Sequence, residues 1–350
     1  MKVYLKSLGL FVLTSMFLGG CSLSRAALIK SVPSLPPDRD VILNITQVNK
    51  RVGWYFVDPT DWKLSKWEFP SNSNSPTPIN EEIRRSFVSW SPQSQRLLYA
   101  LNLVSPKGSV EVLKLGSKHD LTSSWQTLSP NGQTVAYTGE SRTDKTFGLV
   151  EDIYLFDIAS RRSQAITKFG SGRVYQITWS PDGKTLAFWH WDSKKREKTL
   201  YQINLDGSNL RVLLEAKDDL PIQIHAVPDD DETIKWSPDG RYLALTNDSY
   251  NSQTIWLLEL ATKQLKQLFK APPASSSGGI QDFAWSPDGQ KIVLVAGYDG
   301  ECHQPWLIGY VECTNFLYLV DVEKGQLTQV TNIPQSSASR LLLLGHKRQP

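Results

Sequence analysis

One turn-forming segment recurs five times along this chain, and that recurrence restricts the possible folds more than any other feature. The copies are Val88-Ser-Trp-Ser-Pro92 followed by Arg96-Leu-Leu-Tyr-Ala100; Gln126-Thr-Leu-Ser-Pro130 with Asn131-Gly132 and Thr134-Val-Ala-Tyr137; Ile177-Thr-Trp-Ser-Pro-Asp-Gly183 with Thr185-Leu-Ala-Phe188; Ile234-Lys-Trp-Ser-Pro-Asp-Gly240 with Tyr242-Leu-Ala-Leu245; and Phe283-Ala-Trp-Ser-Pro-Asp-Gly289 with Lys291-Ile-Val-Leu294. A period of this length is the mark of a repeat architecture.

Each copy predicts a tight hairpin. Ser bonds back to the backbone, Pro presets φ, Asp tolerates the third corner, and Gly supplies the left-handed conformation that ends a type I turn with a bulge. Before the turn, Ile177 and Trp179, Ile234 and Trp236, and Phe283 and Trp285 stand two apart and share one strand face. After it, runs such as Leu186-Ala187-Phe188 are apolar on both faces, as a strand between two neighbouring sheets must be.

A second hairpin follows each unit: Ile153 to Ile158 into Gln164 to Thr167, Leu200 to Leu205 into Leu210 to Leu214, Ile255 to Leu260 into Leu265 to Leu268, and Phe316 to Val322 into Leu327 to Val330. Four strands per repeat of roughly 40 to 57 residues predict an all-β propeller, whose blades bury their faces only against neighbours and so close into a ring. At the N-terminal end, Val41 to Val48 and the hairpin from Trp54 to Phe69 lack a first strand. At the other end, Arg340 to Leu344 is a strand without a successor. The two fragments sum to one blade, so the expected fold is a six-bladed β-propeller of five whole blades and one split blade, its N-terminal blade closed by the C-terminal strand. Blade two, residues 86 to 123, leaves little room for a fourth strand after Val110 to Leu115.

Over about residues 40 to 346 the repeat resembles that of the TolB-type propellers, related to the WD repeat. The first copy departs from the pattern with Gln93-Ser94 for Asp-Gly, and the second carries Asn131 for Asp and Leu128 for Trp. Neither the separate N-terminal domain of TolB nor a following α/β-hydrolase domain is expected within these 350 residues. The resemblance implies a periplasmic protein-interaction scaffold.

The first residues predict export. Lys2 and Lys6 precede an apolar run from Leu8 to Leu18, then Gly19, Gly20 and Cys21. The run falls short of the roughly 20 residues that span a bilayer, which disfavours an uncleaved anchor; an ordinary cleaved signal is a second alternative. Leu18-Gly19-Gly20-Cys21 resembles the lipobox of bacterial lipoproteins, in which the cysteine is diacylated and becomes the mature N-terminus. The expected division is a signal peptide at 1–20, a lipidated tether at 21–40 and the propeller at 41–350. Two or three acyl chains anchor stably where one would not, and the proline-bearing tether reaches about 60 Å at about 3.3 Å per residue. By resemblance to the sorting rule of Gram-negative lipoproteins, Ser22 directs the protein to the outer membrane, facing the periplasm. Without Lys2 and Lys6 the formal charge of +3 becomes +3 − 2 = +1, which argues against a nucleic-acid-binding surface.

Cys302 and Cys313 remain as an even pair, and a disulfide pinning their loop suits an oxidising compartment. Two unpaired thiols are the alternative; a metal at Cys302, His303 and Cys313 has no further partner motif.

Turns after strands one and three of each blade share one face of the ring, those after strands two and four the other. The long segments fall on the second face: Ser71 to Arg85, Gly139 to Glu151, His190 to Lys198, Glu215 to Thr233, Asn247 to Thr254, Pro272 to Ile280, and Gly297 to Thr314. A binding site is therefore expected there, with Trp189-His190-Trp191-Asp192 at a loop mouth as the candidate cluster. The plainer reading is that Trp189 or Trp191 continues a strand and His190 is solvated. Asp229-Asp230-Asp231-Glu232 has the oxygens a Ca²⁺ ion prefers but not the spacing of an EF-hand, and reads as a solvated loop.

His119, His190, His225, His303 and His346 are scattered, and no nucleophile elbow, phosphate loop or zinc-protease motif occurs. The expectation is a binding scaffold without catalytic residues, cofactor or metal, holding an envelope protein partner and tied to the membrane by lipid. A propeller hydrolase or lyase with its site at the channel mouth is the alternative, since propellers assemble sites from distant residues.

Overall fold

The computed structural model describes residues 41–48, 51–57, 64–67, 88–99, 101–115, 125–146, 148–215, 233–246, 254–270, 280–296, 302–303, 312–313, 316–330 and 340–344. The signal, lipobox and tether assigned to residues 1–40, Cys21 included, lie outside them.

The SPDG segments make the turns that the sequence predicts. Ser180 Oγ donates to Asp182 Oδ1 (2.6 Å) and accepts from Thr185 N (3.0 Å). Asp182 Oδ1 accepts from Lys184 N at 3.1 Å, and Gly183 N donates to the Ser180 carbonyl at 2.8 Å. The same set recurs at Ser237 and Asp239, and at Ser286 and Asp288. Each turn thus satisfies its own polar groups locally. In the second copy Asn131 Oδ1 accepts from Ser129 Oγ and Gln133 N, as the aspartates do. The first copy has no acid to receive its serine, and Ser91 Oγ instead donates to the Pro130 carbonyl of the next blade at 2.6 Å.

Turns of adjacent blades touch. A Cβ on Gly183 would lie 3.6 Å from Pro130 Cδ, and one on Gly289 would lie 3.7 Å from Pro238 Cδ. The repeat's tryptophan adds a second tie, because Trp179 Nε1 donates to the Thr127 carbonyl at 3.1 Å and Trp285 Nε1 to the Lys235 carbonyl at 3.2 Å. The motif that folds each hairpin therefore also sets the spacing between blades.

Five blades are each cut from one contiguous stretch of chain. The first contains β4 (Val88–Ser91), β5 (Arg96–Tyr99), β6 (Asn102–Val104) and β7 (Val110–Val112). The second contains β8 (Gln126–Leu128), β9 (Thr134–Asp144), β10 (Gly148–Asp157) and β11 (Arg162–Ala165), and the third β12 (Arg173–Trp179), β13 (Thr185–Asp192), β14 (Glu197–Asn204) and β15 (Arg211–Glu215). The fourth holds β16 (Ile234–Trp236), β17 (Tyr242–Thr246), β18 (Thr254–Glu259) and β19 (Leu265–Lys270). The fifth holds β20 (Ile280–Trp285), β21 (Lys291–Ala296), β24 (Phe316–Asp321) and β25 (Leu327–Gln329). All are antiparallel meanders.

By contiguous chain the propeller has five blades, not six. The remaining four-stranded sheet is composite: β26 (Arg340–Leu344) pairs with β1 (Val41–Val48), which pairs with β2 (Arg51–Val57) and through it with β3 (Leu64–Trp67). The N-terminal stretch brings three strands and no first one, and the C-terminal strand takes that place with Val41 opposite Leu344. β26 also packs against β20 on one side and β4 on the other.

The strand β4, which opens the first contiguous blade, lies beside β8, β8 beside β12, and β12 beside β16. Outermost strands such as β11 are exposed along their length. The core is correspondingly divided among the seams between blades. Phe188, Ile203 and Trp179 meet Ile153 and Ala136 in one seam, and Trp189, Leu200 and Tyr175 meet Trp256, Leu243 and Leu258 in the next.

The blade of residues 88–112 has four strands, where the sequence left little room for the fourth. The chain reverses between Tyr99 and Asn102, which are register partners, with Leu101 at φ 66°. That tight turn makes Asn102–Val104 the third strand and Val110–Val112 the fourth. A leucine at positive φ carries no sequence signal for a turn.

Candidate interaction face

Two of the long segments on the second face are not loops. Strands β9 and β10 continue past their blade as a ribbon, paired across a bulge between Val150 and Glu151 as far as Asp144 and Gly148, and β13 and β14 run to the pair Asp192 and Glu197. The two tips are joined, Lys194 Nζ lying 3.5 Å from an Asp144 carboxylate oxygen. The other long segments lie largely outside the described residues. So does the run Asp229 to Glu232, and among the described residues no three metal-ligating side chains cluster.

Trp189, His190, Trp191 and Asp192 all belong to β13, not to a loop mouth. Successive residues of a strand face opposite sides of its sheet, so the expected cluster is split. Trp189 is buried in the seam toward the 234–270 blade, and the buried Lys198 holds its ammonium 5.1 Å from the Trp189 ring centroid. His190 faces the other way. It is buried, not solvated, and stacks on Phe169 with Tyr201 edge-on at 6.3 Å.

The groups around His190 form one connected set that holds the segment between β11 and β12 onto the ribbon. His190 Nε2 donates to the Ser171 carbonyl. Ser171 Oγ donates to Asp192 Oδ1, which also accepts from Lys194 N at 2.9 Å and Lys195 N at 3.2 Å. The buried Asp152 accepts from Thr167 Oγ1 (2.9 Å) and Phe169 N (2.7 Å). Glu151 accepts from Arg173 and from Val174 N. The close approach explains Gly172: at φ 88°, a Cβ there would meet the Trp191 carbonyl oxygen at 1.6 Å.

The electrostatics follow from these contacts. Burial pushes the His190 imidazole below its ordinary value, and neither the Ser171 carbonyl nor the Asp192 and Asp152 carboxylates offset it, so the ring is neutral near pH 7. Burial acts against ionisation of Asp192, but the Ser171 hydroxyl and the Lys195 and Lys194 amides outweigh it and hold the carboxyl below the usual range. A neutral imidazole whose Nε2 proton is committed to a carbonyl, beside carboxylates engaged by backbone amides and hydroxyls, positions a segment.

Sequence reasoning missed Asp152, Glu151, Arg173, Ser171, Phe169 and Lys198. Only Phe169-Gly-Ser-Gly172, a glycine-flanked stretch between two strands, signalled a close approach. A further tie between blades was equally hidden: Lys235 Nζ lies 2.8 Å from Asp282 Oδ1 and 5.2 Å from the Phe283 ring centroid. His119, His225 and His346 lie outside the described residues. Cys302 and Cys313 are described in their backbones alone.

No family model matches the chain. It is 30% identical over 187 residues to the Tol-Pal system protein TolB of Alcanivorax borkumensis, covering 48% of this chain and 39% of that one. It is 28% identical over 145 residues to dipeptidyl-peptidase 5 of Porphyromonas gingivalis, covering 40% and 20%. The chain thus spans between a fifth and two fifths of the length of these curated relatives. Among solved structures, a protein assigned as TolB from Agrobacterium tumefaciens superposes with a TM-score of 0.50 at 16% identity, over 87% of this chain and 97% of that one. A chain of a nidogen/laminin complex superposes with a TM-score of 0.54 at 10% identity, over 87% and 99%. The fold is that of a β-propeller, and its repeat is similar in sequence to that of TolB proteins.

Proposed function

We propose that this TolB-like propeller is a lipid-anchored envelope protein, tethered through Cys21 to the outer membrane, that binds a protein partner through its second face. In this reading the composite sheet counts as the sixth blade, and the protein is not an enzyme. The observation that carries the proposal is the state of the His190 set: each titratable group the sequence pointed to there is spent on holding the 166–172 segment against β13. What this builds is a rigid wall, raised by the β9–β10 ribbon, on which Arg142, Thr143 and Leu149 are exposed. Rigid surfaces with exposed apolar and charged groups suit protein recognition, where preorganisation lowers the cost of binding. The sequence likeness to a Tol-Pal system protein supports an envelope setting.

A hydrolase or lyase acting at the channel mouth is the second reading, favoured by the sequence match to a dipeptidyl-peptidase. One experiment separates the two. The tethered protein is captured from cross-linked membranes as wild type and as the Leu149→Asp, Arg142→Glu double variant, and both are screened for hydrolase and lyase turnover. The scaffold reading expects a partner that the double variant loses, with no turnover; turnover without a partner overturns it. Replacing Cys21 with Ser should release the protein from the membrane fraction, and unchanged partitioning overturns the anchor.

A further inference from the structure

Between β21 and β24 the chain leaves its blade and forms a separate two-stranded ribbon, β22 (Cys302–His303) and β23 (Glu312–Cys313). Its register places Cys302 opposite Cys313 and His303 opposite Glu312. A ribbon of two residue pairs, hydrogen-bonded to no blade among the described residues, is too short to hold itself together in water. Something else must close it.

Residues directly opposed in an antiparallel pair have Cα atoms about 4.5 to 5.5 Å apart, and disulfides bridge Cα separations of about 4.4 to 6.8 Å. We propose that Cys302 and Cys313 are joined by an intramolecular disulfide that clamps this ribbon. The spacing of the cysteines in sequence left thiols, a disulfide and a metal open, and the register discriminates between them. The backbone sets the two cysteines directly opposite each other and His303 one position along, opposite Glu312, an arrangement that suits a bond between the pair better than a shared metal.

In forming the bond each thiol gives up one proton and one electron. The acceptor is the disulfide of an oxidising thiol–disulfide oxidoreductase, which is released as a dithiol. The source of that oxidant rests on the envelope location proposed above, whereas the pairing rests on the register alone.

The test keeps the two apart. The full chain is taken from cells whose thiols are first trapped with N-ethylmaleimide, then denatured and digested without reduction. The expected product is a linked pair of peptides, two hydrogens lighter than the separate thiol peptides and unlabelled, with both cysteines labelled only after reduction. A Cys302→Ser variant should leave Cys313 labelled throughout. The purified reduced chain is also placed in a glutathione redox buffer. Cysteines found as thiols in cells but linking within one chain in the buffer would overturn the envelope location and keep the pairing. Failure to link in the buffer, or a link between two chains, overturns the pairing.

Discussion

The imidazole of His190 lies flat on the ring of Phe169, centroids 3.8 Å apart and planes inclined by 13°, while its Nε2–H reaches the Ser171 carbonyl at 2.9 Å. One strand residue thereby holds the 166–172 segment at two points, Phe169 and Ser171, and it does so as a neutral ring.

Acidification should loosen this seam. The folded-state pKa of His190 lies below its ordinary value of 6.5, so the unfolded chain binds the proton more readily and stability falls as pH drops below about 6.5. Asp192 is also depressed, and its contribution is lost only at lower pH, below its ordinary value of 3.8. The thermal midpoint should therefore decline between pH 7 and 5 in the wild type, and His190→Phe should flatten that decline. An unchanged slope in the variant would remove the assignment.

Gly132 and Gly183 sit in equivalent turns, at φ 71° and 68°, but only Gly132 is crowded: a Cβ there would meet Ser94 Oγ at 1.9 Å, against 3.6 Å to the nearest atom at Gly183. Gly183→Ala should cost about 1 to 2 kcal/mol from backbone strain. Gly132→Ala should cost more, and Ser94→Gly should recover the excess. Urea unfolding of the two single variants and the double variant measures the coupling.

Lys235 and Asp282 tie the 234–270 blade to the 280–329 blade. Asp282 also accepts from Phe283 N at 2.8 Å, and its side chain is 6% exposed against 27% for Lys235. Removing a partner from a buried pair costs about 3 to 5 kcal/mol; solvent at Lys235 reduces the expectation for Asp282→Ala to about 2 kcal/mol. Lys235→Met with Asp282→Leu should recover part of that loss, checked by a double-mutant cycle.

Deleting residues 340–350 removes β26 and leaves β1 with an unpaired edge. The truncated chain should melt at lower temperature and associate, by calorimetry and size-exclusion chromatography. A peptide spanning residues 338–346 added in trans should restore the monomer.

The propeller was legible because its signal is local. In the SPDG turn, Ser180, Asp182, Gly183 and Thr185 satisfy one another within six residues, so no distant partner is needed to read a hairpin there. The unpaired strands at the two ends likewise announced a composite sheet, because a strand without neighbours is incomplete wherever the rest of the chain lies.

What the sequence could not resolve was the face on which each side chain lands. Trp189 to Asp192 read as a loop-mouth cluster. They separate because β13 and β14 continue to Asp192 and Glu197, and strand alternation then sends Trp189 to one seam and His190 to the other. The fourth strand of the 88–112 blade was equally hidden, since it rests on Leu101 adopting a positive φ that only surrounding packing imposes. The amino-acid sequence alone determined the repeating turns, and with them an all-β ring, since those turns are built from neighbouring residues. The tertiary structure alone decided how far each strand runs and what faces what, since burial between blades depends on partners tens of residues away.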